Sequence, residues 1–239
     1  MSIEVRNLVK KFDDKVVIDD ISFKVDDGEI LAIVGFSGSG KSTVLKLICG
    51  LIPYDNGEVL TSEGDIAMVF QYSALFDSLN VYDNISFALH ERRDLRSKYE
   101  EEEIKKIVSQ KLELVGLKGI ENKFPSELSG GMQKRVSFAR AIVTKPNTIL
   151  YDEPTAGLDP MSSTLIEDYI VRLKRETNAA SIVVTHQMST ITRTADRVIM
   201  LYDGKIVFEG TPSELLKQDN PYTKQFVTAS LDGPMKMKA

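Results

Sequence analysis

The amino-acid sequence predicts an α/β fold: a core containing a parallel sheet, a small antiparallel β subdomain and an inserted helical subdomain. Three observations carry this. A short apolar run at residues 31–34 leads into the glycine-rich stretch Gly35-Phe36-Ser37-Gly38-Ser39-Gly40-Lys41-Ser42, and an apolar helix-forming segment follows. Further apolar strands recur along the chain with helical stretches between most of them, the alternation that stacks strands in parallel. Between residues 81 and 143 the strands give way to helical periodicity.

Taken in order, residues 3–8 form a strand, and Ile21, Phe23 and Val25 alternate with Ser22 and Lys24 before the turn Asp26-Asp27-Gly28, the pattern of a half-buried strand. With residues 57–60 these make the small antiparallel sheet. Residues 31–34 read as a buried strand, and residues 43–49 as a helix whose Val44, Leu45, Leu47 and Ile48 are apolar. Strands at 66–70, 148–151, 181–185 and 198–202 complete the parallel core. The helical region is charge-rich from 91 to 111, and the run Glu100 to Glu103 reads as a solvated helix face. The expected units are a core from 1–80 and 144–220, a helical subdomain at 81–143 and a C-terminal tail at 221–239, whose MKMKA ending reads as frayed.

At 239 residues the chain is long enough to bury a substantial core. Its net charge of −5 argues against a broad nucleic-acid footprint, so no nucleic-acid partner is expected. No apolar run approaches bilayer length and the N-terminus lacks a signal-type apolar region, which predicts a cytoplasmic protein. The single cysteine, Cys49, allows no internal disulfide and lies among apolar residues, as a packed thiol would.

The stretch from Gly35 to Ser42 fits G-x-x-x-x-G-K-[ST], the P-loop of a nucleotide-binding NTPase core. Its glycines let backbone N–H groups face phosphate oxygens, Lys41 supplies charge to the β and γ groups, and the Ser42 hydroxyl can ligate Mg²⁺. The strand at 148–151 ends in Asp152 and Glu153. Hydrolysis of ATP needs both: one acid for the metal, assigned to Asp152, and one to polarise the attacking water, assigned to Glu153. Leu128-Ser129-Gly130-Gly131-Met132-Gln133 opens a helix, where Ser129 can cap and the glycines permit close approach of an anion.

In this order the motifs resemble those of the ATP-binding cassette ATPases, over about residues 1–215. The resemblance implies a glutamine loop at Gln71, touching Mg²⁺ and the γ-phosphate, a signature at Leu128, a D-loop Ala156-Gly157-Leu158-Asp159 and a switch histidine at His186. It implies an adenine-stacking aromatic at Phe12, where the family more often has Tyr. ATP is then held by Gly35, Ser37, Gly38, Ser39, Gly40, Lys41, Ser42 and Thr43 of one copy and by Ser129, Gly130, Gly131 and Asp159 of a second, head to tail. His90 has no such context and reads as surface.

The stretch from Phe70 to Ile85 is similar to the glutamine loop of ATPases serving Mla-type phospholipid transporters, and the tail around Lys224 to Pro234 to that subfamily's extension, though it ends early. This implies an integral membrane permease and an MCE-domain lipid-binding protein as partners, a small regulatory domain as a further one, and a place on the cytoplasmic face of the inner membrane. The alternatives are the ATPase of a small-solute, amino-acid importer and a soluble cassette ATPase driving complex assembly. The tail, with Tyr222, Phe226, Val227 and Leu231, is expected to pack on the partner ATPase.

Overall fold

The computed structural model describes residues 3–62 and 64–236. Two sheets organise it. Strands β1 (Ile3–Phe12) and β2 (Lys15–Val25) form an antiparallel hairpin, and β4 (Asn56–Thr61) pairs on the other side of β1, giving the order β2-β1-β4. The strand that marked residues 21–25 extends back to Lys15, with Ile18, Ile21, Phe23 and Val25 buried; the alternation slips by one residue between Ile18 and Ile21, where Asp20 has φ of 55°.

The second sheet contains β3 (Ile30–Val34), β5 (Ile66–Val69), β6 (Thr148–Asp152), β7 (Ala180–Val184), β8 (Arg197–Tyr202) and β9 (Lys205–Gly210), in the order β5-β6-β7-β3-β8-β9. Five strands are parallel. The sixth, β9, which the sequence reading did not contain, pairs antiparallel with β8. Its two-residue link is Asp203-Gly204, with φ of 50° and 79°. Both values lie in the left-handed region that a primed hairpin turn demands, so the sheet is mixed rather than wholly parallel.

Helices cover the sheet: α1 (Lys41–Ile48), α2 (Val81–Glu91), α3 (Glu101–Leu114), α4 (Gly130–Ala141), α5 (Pro160–Thr177), α6 (Met188–Thr194), α7 (Pro212–Lys217) and α8 (Pro221–Val227). Asn80 caps α2 by accepting from Asp83 N at 2.8 Å, and Glu100 with Glu103 forms a reciprocal cap on α3. The acids at 100–103 are exposed and sit at that positive helix end, where their charge is favourable. Packing on one sheet face is continuous with the helical region: Ile85, Val108, Val136 and Phe138 share a cluster with Ile149 and Tyr151 of β6 and Ile166 of α5. Cys49 is half-buried, its Sγ 3.9 Å from Met68 Sδ, and burial pushes its thiol pKa up.

The tail corrects an expectation. Residues 221–236 lie on their own chain: Tyr222, Phe226 and Val227 pack with Ile191, Met200 and Leu215, and Met235 is buried there too. Those side chains find apolar neighbours on β8, α6 and α7, so in this structure they are not offered to a partner ATPase. Leu231, by contrast, is 82% exposed. The frayed ending assigned to MKMKA falls partly at 237–239, outside the described residues.

Candidate nucleotide site

Register decides where the motifs meet. Ile33 of β3 pairs with Val184 of β7, Asp152 of β6 also pairs with Val184, and Val69 of β5 pairs with Tyr151. The carboxyl ends of four neighbouring parallel strands therefore discharge the Gly35 loop, Gln71, Glu153 and His186 along one sheet edge, the position at which α/β folds hold ligands.

The loop is shaped for a ligand that approaches backbone. Gly35 and Gly40 have φ of 143° and 97°, and an added Cβ would stand 2.3 Å from Leu201 O in the first case and 3.1 Å from Val17 O in the second. At Gly38, φ is 79° but nothing lies within 4 Å of a would-be Cβ, so this corner opens toward the cavity. The first-turn N–H groups of α1 have no partner within the helix. Lys41 is only 7% exposed, and its Nζ donates to the carbonyls of Gly35 at 2.8 Å and Phe36 at 2.9 Å. Burial lowers its pKa, while the carboxylates of Glu153 and Asp152 oppose that shift.

Opposite the loop, Ser42 Oγ donates to Asp152 Oδ1 at 2.8 Å. Burial raises the Asp152 pKa and the Glu153 charge adds to this, with the Ser42 bond pulling the other way. A buried hydroxyl–carboxylate pair with a second acid beside it is the hard-oxygen environment that Mg²⁺ prefers. Glu153 is 9% exposed and sits at φ 45°, a left-handed value that costs a non-glycine residue about 1 kcal/mol or more. Its Oε1 lies 2.8 Å from His186 Nδ1, and its Oε2 is buried without a protein partner. An ionised carboxylate only accepts, so Nδ1 carries the proton and Nε2 is left for a ligand. Ser39 Oγ is likewise buried and unpartnered. Two orphan oxygens beside a phosphate-shaped loop are what a missing ligand leaves behind.

These residues surround a cavity of about 570 Å³, within the range of ligand clefts. Its walls include Gly35, Ser37, Gly38, Gly40, Lys41, Ser42, Thr43, Gln71, Glu153 and His186. Phe12 is not in that wall. It is 45% exposed at the end of β1, with Lys10 Nζ 5.1 Å from its ring centre, although Val17, five residues on, does line the cavity.

The signature lies elsewhere. Ser129 is exposed and caps α4, accepting from Met132 N at 3.3 Å, and Gly130 lines a second cavity of about 380 Å³ with Gln71, Tyr72, Lys134 and Gly157. Gly131 follows it in the first turn, where an added Cβ would lie 3.7 Å from Ser162 Oγ. Asp159 is exposed and caps α5 through Met161 N and Ser162 N, both at 3.0 Å; hydrogen bonding from the Ser162 side chain, then from these backbone groups, holds its carboxyl below the usual range. Ser129, Gly130, Gly131 and Asp159 thus stand outside the cavity that Lys41 enters. Sequence reasoning missed Lys134, whose Nζ donates to Pro154 O at 3.1 Å and Ala156 O at 2.6 Å and so pins the turn after Glu153. It also missed Val17, Phe226 and Ala229 in the cavity wall. His90 is half-buried on α2 and outside the site. Among the described residues no helix is long and apolar enough to cross a membrane.

Comparison with known proteins gives the same picture from another direction. The ABC transporter family profile matches residues 18–156. Protein TRIGALACTOSYLDIACYLGLYCEROL 3 of Arabidopsis thaliana is 46% identical, with 98% of this chain and 75% of that protein aligned. The intermembrane phospholipid transport system ATP-binding protein MlaF of Haemophilus influenzae is 39% identical, over 99% of this chain and 94% of its own length. Among solved structures, a dimeric ATP-binding cassette in a post-hydrolysis state, bound to ADP and Pi, superposes with a TM-score of 0.78 at 30% identity, covering 88% of this chain and 98% of that one.

Proposed function

Because the chain belongs to the ABC transporter family and is an ATPase of it, we propose that it powers phospholipid transport between membranes through a partner permease. The observation that carries the energetic half is the assembly of Lys41, the Ser42–Asp152 pair and the Glu153–His186 pair at one sheet edge, with the signature turned away from it. Near end-to-end similarity to a phospholipid-system ATPase supports the lipid half. A sulfate/thiosulfate import ATPase of Bradyrhizobium diazoefficiens is 36% identical over 99% of this chain, which keeps a small-solute importer as the second reading.

In this reading ATP is the substrate. Lys41 and the loop N–H groups bind its phosphates, and Ser37, Ser39 and Thr43 surround them. Ser42 and Asp152, with Gln71, would hold Mg²⁺, which offsets phosphate charge and fixes the geometry of transfer. Glu153 takes the proton from the attacking water. The His186 Nδ1–H bond aims that carboxylate, and the His186 Nε2 faces the γ-phosphate. Phe12 stacks on the adenine. Ser129, Gly130, Gly131 and Asp159 of a second copy cap the same nucleotide, their helix N-terminus adding positive potential. The core of 1–80 and 144–220 and the helical unit 81–143 turn relative to each other as the dimer closes, and the exposed surface around Gln71 and Tyr72 passes that motion to the permease. An MCE-domain lipid carrier, a small regulatory domain and a position on the cytoplasmic membrane face complete the proposal.

The test is transport itself. The chain is purified from its native membranes with whatever permease accompanies it and placed in proteoliposomes. ATP-dependent transfer of a fluorescent phospholipid, absent with Glu153→Gln, is the expected result. ATP-driven sulfate or amino-acid uptake without lipid transfer would assign the second reading, and full ATP turnover with no membrane partner would point to a soluble assembly ATPase.

A further inference from the structure

The C-terminal segment returns to the nucleotide loop. Phe226 of α8 stacks at a tilt of 59° against Phe36, ring centres 6.3 Å apart, and Phe36 is the second residue of the phosphate loop. Phe226 and Ala229 line the cavity that Lys41, Glu153 and His186 also line.

The contact is built rather than incidental. Gln225, 3% exposed, clamps the chain that follows: its Nε2 donates to Met235 O at 2.8 Å, and Met235 N donates to its Oε1 at 2.7 Å. The return passes so close that a Cβ on Gly233 would fall 2.3 Å from Gln225 Oε1. Lys236 N then donates to Tyr202 OH at 3.0 Å, tying the end to β8, while the Tyr222 ring sits 5.8 Å from that of Tyr202. Residues 221–236 therefore form a strap closed by a doubly hydrogen-bonded glutamine amide, with one aromatic side chain projecting onto the loop.

A loop with left-handed glycines at 35, 38 and 40 is conformationally free unless something holds it, and ordering it on binding costs affinity. We propose that the strap is that support and that Phe226 is a positioning residue for nucleotide binding, acting through Phe36. The inference deepens the proposed function, since it rests on the Gly35 loop being the ATP site. By linkage, whatever strengthens strap docking strengthens nucleotide binding, and bound nucleotide steadies the strap in return.

The experiment uses the full chain and a fluorescent ATP analogue with Mg²⁺. Phe226→Ala should raise Kd about 5–30-fold, the range of a modest coupling between sites, and raise KM while leaving kcat within about twofold. Phe226→Leu should recover most of the loss. Val108→Ala, in the buried cluster of the helical region and away from both the strap and the cavity wall, should lower Tm with Kd unchanged. Independently of any variant, nucleotide should slow amide exchange across 221–236 in the unaltered protein. A Phe226→Ala protein with lowered Tm and unaltered Kd, or exchange in 221–236 indifferent to nucleotide, overturns the strap's role provided Lys41→Ala has lost binding. If Lys41→Ala binds as tightly as the unaltered chain, the site itself is misassigned and both ideas fall.

Discussion

Around Gly35–Ser42 the charged groups are turned inward: Lys41, Asp152 and Glu153 are each less than a tenth exposed, Lys41 and Glu153 line one cavity, and Asp152 is bonded to Ser42 of its wall. Around Ser129–Gly131 the chain does the reverse. Ser129 and Gly130 are exposed, Asp159 caps α5 at the surface, and the cavity that Gly130 borders does not contain Lys41. In the proposed reading the first end binds and polarises a triphosphate, while the second presents a helix terminus to solvent. The contrast is what the proposed function needs if half of the chemistry is folded into the chain and half is displayed for another copy, and it can be attacked from either side.

The largest effect belongs to the inward end. Glu153→Gln should lower kcat about 10²–10⁴-fold, the usual worth of a general base, while ATP still binds and accumulates a dimer seen by light scattering. Undiminished turnover would remove Glu153 from its role. Next comes Ser129→Arg at the outward end, which should cost about 100-fold in turnover with the Kd of the isolated chain unchanged, since only the partner's nucleotide feels it. A change in single-chain affinity would erase the distinction between the two ends. Lys41→Ala should weaken nucleotide binding about 100-fold, by loss of a buried charge-assisted contact, as read by equilibrium titration.

Smaller effects sharpen the boundary. Phe12→Ala should raise Kd about 3–10-fold and Phe12→Tyr should leave it alone, a stacking contribution at an exposed rim. The smallest is thermal. Because burial raises the Asp152 pKa in the folded chain, the stability linked to its proton is full below the ordinary carboxylate range and is lost as pH rises through the raised value. Asp152→Asn should therefore stabilise the metal-free protein at neutral pH by about 1 kcal/mol, roughly 2–4 °C in Tm at this size, and the gain should vanish in acid. A pH-independent gain would mean that packing, not charge, was relieved.

What the sequence made legible was whatever recurs with a period or a fixed spacing. The strands ending at Val34, Asp152 and Val184 announce themselves as apolar runs, and the loop, acid pair and histidine follow at their ends. β9 has a local signal too, Asp203-Gly204 between two apolar stretches, but a hairpin strand lacks the strand–helix alternation that marks the parallel ones. Other features leave no local trace. Lys134 lies in a helix beside Gln133 and Arg135, and only the fold brings its ammonium onto Pro154 O and Ala156 O. The tail's apolar residues were visible, yet which surface they cover depends on β8 and α7 lying within reach, and pattern alone could not separate its own core from a partner's.

Glu153 occupies a left-handed backbone position that glycine or asparagine would adopt with less strain. Selection for heat resistance alone would thus push this codon toward Gly or Asn, replacements that relax the backbone and remove the carboxylate the proposed function needs. A library screened only for surviving solubility after heating should enrich those substitutions at 153, and the same library screened for ATP turnover should return Glu.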